Sequence, residues 1–138
     1  MTAIYVASPL DQNPDRIGGV PGLIGLLMDS GATAVFNPGT AWVVDDPGGL
    51  SHKTIQDINV VALQQSDGVL AVLPPGVPTV GTPMEILLAR QSSIPVVVVG
   101  TRSVVALTWL DVPVVEDPQV AVDTIIRLAT EQSEGWGS

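Results

Sequence analysis

Gly68-Val-Leu-Ala-Val-Leu73 runs through a Pro/Gly-rich turn into Val77-Pro-Thr-Val-Gly-Thr-Pro-Met-Glu-Ile-Leu-Leu-Ala-Arg90, and this stretch decides the fold. The apolar run, unbroken by polar residues, suits a strand covered on both faces. A helix is predicted to follow from Thr82, with Thr82 as N-cap, Pro83 at N1 and Glu85 at N3 of a capping box. On that reading Glu85 lies in the first turn, bonds back to the Thr82 backbone N–H and adds roughly 0.5–1 kcal/mol of helix stability. The same residues permit a second reading. Ligands of open α/β sheets bind in the crevice beyond the carboxyl ends of the strands. A carboxylate there, its ionisation favoured by the helix dipole, can act as a nucleophile. The two readings compete for the same oxygens.

Outward from this stretch, strand and helix signals alternate. Thr2 to Ala7 reads as a buried strand ending at Ser8-Pro9, and a Gly-rich helix spans Pro21 to Ser30 with Gly31 just past its end. Thr33 to Phe36 is a short second strand, followed by a long loop from Asn37 to Leu50. Ser51 is a good N-cap for a helix running to about Gln65. Pro95 to Gly100 is the fourth strand, and Val112 to Val115 the fifth, placed on an edge because proline cannot donate to a ladder. Pro118 to Thr130 closes the chain as a helix. Strands separated by single helices imply a parallel sheet covered on both faces, a three-layer α/β fold. One domain over residues 1–130 and a loose tail over 131–138 are expected.

Composition narrows the function. The formal charge of −9, with only five Lys and Arg, argues against nucleic acid or an anionic membrane as partner. A small phosphorylated ligand stays open, because one arginine and a few backbone N–H groups can hold a phosphate. The absence of cysteine excludes thiolate zinc sites and cysteine nucleophiles, and a single histidine, His52, leaves a Ser-His-Asp triad little to build on. Only 14% of residues are charged, against about 25% in typical domains, which hints at self-association. The apolar runs are far short of a membrane span, and the N-terminus lacks the basic region of a signal peptide. A cytoplasmic protein is the expectation.

Other candidate residues carry paired readings. Tyr5, inside the first strand, is either packing or a hydroxyl that reaches the crevice and orients a carboxylate. Ser8 either bonds a ligand or forms the turn before Pro9. Asp57 is either a solvated helix residue or a functional carboxylate beside an apolar face. Asp67 reads as a loop or cap residue. Trp42 either anchors its loop or stacks on a planar ring, and His52-Lys53 reads as an exposed pair in a first helical turn. There is no GxGxxG after the first strand and no P-loop. Nor does Ser8-Pro-Leu-Asp-Gln-Asn look like an FMN phosphate loop, and no cofactor is expected.

Three segments, Ile4-Tyr-Val-Ala-Ser8, Gln56-Asp-Ile-Asn-Val-Val-Ala-Leu-Gln-Gln-Ser-Asp-Gly-Val-Leu-Ala71 and Val80-Gly-Thr-Pro-Met-Glu-Ile-Leu-Leu-Ala89, occur in this order. Together they resemble the nucleoside 2-deoxyribosyltransferase family, which includes relatives that hydrolyse nucleoside 5′-monophosphates. The resemblance implies a five-stranded flavodoxin-like sheet of order 2-1-3-4-5. It also implies a glycosyl-enzyme formed on Glu85, a carboxylate at or beside Asp57 that contacts or protonates the departing base, and a Tyr5 hydroxyl that positions the nucleophile. Ser8, Arg16, Trp42, Asn59, Thr79 and Gly81 are the candidate substrate-binding residues. The partner implied is a small nucleoside or nucleotide, in a homo-oligomer with the site near a subunit interface.

This chain departs from the family pattern at three points. Thr79 stands where transferases acting on free nucleosides often have an aspartate, which leans toward a nucleotide substrate. Arg16 is the only cation well placed by sequence to meet its phosphate. Counting back from Asp67 can place Asn59, rather than Asp57, on the base-contacting position. Ser103 to Thr108 puts an apolar residue near the place where relatives supply a polar group to the neighbouring subunit's pocket. The activity implied is cleavage of an N-glycosidic bond, with release to water or to a second base. The alternative is a non-catalytic nucleotide-binding or sensing module on the same fold.

Overall fold

Strands β1 (Ala3–Ala7), β2 (Ala34–Phe36), β3 (Gly68–Leu73), β4 (Val96–Gly100) and β5 (Val114–Val115) form one sheet of order β2-β1-β3-β4-β5. All neighbouring strands are parallel. The computed structural model describes residues 2–8, 20–38, 52–73, 81–100 and 111–137. Its helices are α1 (Val20–Asp29), α2 (His52–Gln64), α3 (Gly81–Gln91) and α4 (Pro118–Gly137). None of the described helices is long and apolar enough to cross a membrane.

Side-chain alternation along β1 sorts the core into two layers. Ile4 and Val6 pack with Leu23 and Leu27 of α1 and with Ala121, Val122, Ile125 and Ala129 of α4. Tyr5 and Ala7 face the other way, toward Leu63 of α2 and Ile86 and Ala89 of α3. The central strand β3 is buried along its whole length, as its uninterrupted apolar run requires. The result is the three-layer, flavodoxin-like α/β arrangement anticipated from the alternating elements.

Local signals close the helices. Beyond α1, Ala32 N donates to Leu27 O at 3.0 Å and Gly31 N to Met28 O at 3.3 Å, with Gly31 at φ 109°. This is the Schellman arrangement that a glycine at this position favours. The end of α3 repeats it, with Ile94 N on Ala89 O at 2.9 Å and Ser93 N on Arg90 O at 3.1 Å. There a serine adopts the left-handed conformation, at φ 59°. Asp67, read as a loop or cap residue, ties β1 to the entry of β3. Its Oδ2 accepts from Ala3 N at 2.8 Å while its own N–H donates to Ala3 O at 2.8 Å. That clasp lies at the amino edge of the sheet, away from the carboxyl edge.

Two boundary differences bear on the reading of the chain, and one of them matters chemically. α4 continues past Thr130 to Gly137, since no proline interrupts Glu131-Gln-Ser-Glu134 and Arg127 lies 4.0 Å from Glu131 one turn on. α3 begins at Gly81, so Thr82 lies inside the helix and Glu85 falls beyond its first turn. The expected capping box is therefore not formed.

Candidate active site

The carboxyl edge of the sheet is where β1 and β2 end side by side and where α3 begins. Register pairs Tyr5 with Phe36 of β2 on one side and with Val69 of β3 on the other. Tyr5 is 1% exposed, and its ring stacks on Phe36 with centroids 5.7 Å apart and planes 27° apart. Such a stack fixes the ring in the pleat of the sheet. Its phenol then projects on the α2/α3 side, toward the helix that carries Glu85.

Glu85 sits one residue before the buried Ile86, on the flank of the α3 stripe that faces the sheet. Burial pushes its carboxyl above the usual glutamate range, and the nearby Tyr5 hydroxyl partly offsets that push. Tyr5 in turn is driven well above the ordinary phenol value, first by burial, then by the charge of Glu85 and by its hydrogen-bonding influence. The phenol is thus a committed proton donor at any physiological pH. Yet neither Tyr5 Oη nor Glu85 Oε2 has a partner of hydrogen-bonding distance and angle among the described residues. The two groups lie close enough for each to shift the other's proton affinity. Buried tyrosine hydroxyls ordinarily find a partner, so this pair is an open polar arrangement in an apolar layer.

Helical phase separates the two candidates on α2. Leu63 is buried and Ala62 partly so, and Asn59 lies on the same side, half-buried. Asp57 lies about 160° around the helix from Asn59, given 100° per residue, and is exposed with Val61. The fold therefore turns Asn59 toward the sheet and Asp57 outward. This places the two alternatives for the base-contacting position on opposite faces of one helix.

At the mouth of β1, Ser8 is 9% exposed and Asn37, just after β2, is 3% exposed. Asn37 Nδ2 donates to Val6 O at 2.8 Å and to Ser8 Oγ at 3.1 Å. The sequence reading treats Asn37 only as the start of a loop. The signal for it is faint, a polar residue directly between a strand and a proline. Gly81 forms the first residue of α3. Arg16, Trp42, Thr79, Ser103 and Thr108 lie outside the described residues. Among the described residues no three His, Asp or Glu side chains cluster as a metal site requires.

The fold is close to that of two solved proteins. One is a conserved protein from Enterococcus faecalis V583, 20% identical, covering 92% of this chain and 98% of that chain with a TM-score of 0.73. The other is a 2-deoxyribosyltransferase from the psychrotolerant bacterium Bacillus psychrosaccharolyticus, described as a biocatalyst for the synthesis of antiviral and antitumoral nucleosides. It is 21% identical and covers 88% of this chain and 90% of that chain, with a TM-score of 0.71. No protein-family model matches the chain, and no curated protein does.

Proposed function

We propose that the protein cleaves the N-glycosidic bond of a nucleoside or (deoxy)nucleoside 5′-monophosphate through a covalent intermediate on Glu85. The observation that carries this reading is the buried Tyr5 phenol beside the Glu85 carboxylate, with no hydrogen-bond partner for Tyr5 Oη or Glu85 Oε2 among the described residues, at the carboxyl edge of the sheet where ligands of such folds bind. The likeness of the fold to a 2-deoxyribosyltransferase supports it.

The chemistry balances in two steps. A Glu85 oxygen attacks C1′, forming the C1′–O bond as the C1′–N bond breaks and its electron pair leaves with the base. The base takes up a proton as it departs. In the second step water or another nucleobase attacks C1′, gives up a proton, and Glu85 leaves as the carboxylate. Splitting one displacement into two in this way is the general advantage of covalent catalysis. Tyr5, held protonated beside Glu85, is the hydroxyl that would orient the attacking carboxylate. Asn59 meets the base edge from the sheet-facing side of α2, and Asp57 is the remaining candidate for the proton. Thr79 and Arg16 favour the monophosphate as substrate.

The same side of the molecule carries the oligomer reading. Ile58 and Val61 of α2 and Met84 and Leu87 of α3 are exposed apolar residues on adjacent helices. Burying them against a second copy would place Asp57 and the Glu85 edge beside a subunit interface.

A second reading, a non-catalytic nucleotide-binding or sensing module, is favoured by one observation: Asp57 is turned outward, so no acid on α2 accompanies Glu85 on the sheet-facing side. Chromatography of a panel of nucleosides and 5′-monophosphates, with and without an acceptor base, separates the readings. Release of free base that disappears in Glu85→Gln supports cleavage, and an exchanged nucleoside in the presence of acceptor identifies transfer. Binding without release from any compound establishes the module instead.

A further inference from the structure

From the Asn37 contacts we infer that Asn37 is a positioning residue, which sets the Ser8 hydroxyl as a hydrogen-bond donor to a ligand oxygen at the mouth of β1. The inference rests on the nucleoside or nucleotide reading above. An asparagine amide has a donor end and an acceptor end, and its orientation follows from its partners. Here one partner is the Val6 backbone carbonyl, which can only accept, so the group facing it at 2.8 Å must be the NH₂. The same Nδ2 lies 3.1 Å from Ser8 Oγ. With both its hydrogens spoken for, the amide leaves Ser8 only one role toward it, that of acceptor.

A hydroxyl has one proton and two lone pairs. Because Ser8 Oγ accepts from Asn37, its proton must be directed elsewhere, and no acceptor for it is found among the described residues. Ser8 is nearly buried, so the direction of that proton is confined rather than averaged over solvent. Ser8 follows β1 and Asn37 follows β2, both at the carboxyl edge where α/β sheets bind ligands. The chain Val6 carbonyl, Asn37 amide, Ser8 hydroxyl therefore converts a backbone position into an oriented donor. The ligand it fits presents an oxygen acceptor, whether a sugar hydroxyl or a phosphate oxygen.

The test is a double-mutant cycle of Ser8→Ala and Asn37→Ala, read as KM and kcat for base release from a nucleoside and from its 5′-monophosphate. Ser8→Ala should raise KM about three- to tenfold with kcat within about twofold, the effect of one lost hydrogen bond. Asn37→Ala should raise KM in the same direction, and the double variant should match Ser8→Ala within about twofold. A penalty confined to the monophosphate assigns the acceptor to phosphate; a penalty on both assigns it to the nucleoside portion. A merely structural Asn37 would lower the melting temperature and leave KM alone, which overturns the inference. So does additivity of the two substitutions. If Asn37→Ala does not fold, Ser8→Ala decides by itself, since an unchanged KM there removes the donor from the site. If the parent releases no base, calorimetric Kd values for the same two compounds replace KM. A parent that binds without cleaving then fails the enzymatic reading alone, and a parent that binds neither fails both.

Discussion

Replacing Tyr5 by phenylalanine should stabilise the protein while impairing it. The Tyr5 hydroxyl is buried and has no partner among the described residues. An unmade hydrogen bond of this kind costs about 1–3 kcal/mol in desolvation. Removing the oxygen leaves a void of about 10 Å³, which at about 24 cal/mol per Å³ returns only about 0.2 kcal/mol. Tyr5→Phe should therefore gain about 0.8–2.8 kcal/mol, because the ring and its stack on Phe36 are retained. The gain should depend on pH through Glu85. Its folded proton affinity lies above the ordinary value of 4.5, so the native state holds an extra proton between the two values. Stability is then greatest below 4.5 and declines as pH rises through the folded value. Tyr5 lowers that folded value, so without it the decline extends to higher pH, and the gain is largest in acid and smaller at neutrality. Urea unfolding just below pH 4.5 and again at pH 7, with the slope m unchanged, reads both quantities. A loss exceeding about 1 kcal/mol at both pH values would refute the reasoning, since it would mean that the hydroxyl is well bonded in the folded state.

Glu85→Gln should be more stable than the parent at pH 7 and converge on it below 4.5, because the variant removes a charge that burial disfavours; a capping role would give the opposite sign in the same unfolding experiment. Its base release should fall at least about 10³-fold, while the parent's activity should be lost on the acid side at a pH above 4.5, both measured by chromatography. Gly100→Ala should destabilise by about 2–4 kcal/mol in urea, since Gly100 has φ 155° and an added Cβ would lie 2.3 Å from the Leu73 carbonyl oxygen. A variant within about 0.5 kcal/mol of the parent would show that the ends of β3 and β4 are not held this closely. Asp67→Ala should cost about 1.5–3 kcal/mol by removing the acceptor of the Ala3 N–H, and native-state hydrogen exchange should locate the loss at that amide.

Much of the fold is legible locally. The unbroken apolar runs at Gly68 to Leu73 and Val96 to Val99 announce doubly covered strands, and Gly31 announces the end of a helix. These signals depend on residues within a few positions of one another, so the chain carries them without its partners. The site is less legible because its groups meet across long stretches of sequence. Tyr5 and Glu85 come together only when β1 lies beside β3 and α3 packs over both. Asn37 reaches Ser8 across 29 positions, through the pairing of β1 and β2.

By itself, then, the chain determined an alternating α/β order, the exclusion of thiolate chemistry, and Tyr5 and Glu85 as the residues to watch. Tertiary structure decided where those residues are placed. The capping motif Thr82-Pro-Met-Glu85 satisfies every local rule, but α3 starts at Gly81 and Glu85 Oε2 is buried. Asp57 and Asn59 are two positions apart in sequence and nearly opposite on the helix, a distinction made only by which side of α2 is buried. The physical reason is common to both cases. Capping and propensity contribute about 1 kcal/mol each, whereas burying a helix face is worth several times that, so packing sets the phase and the local motif yields.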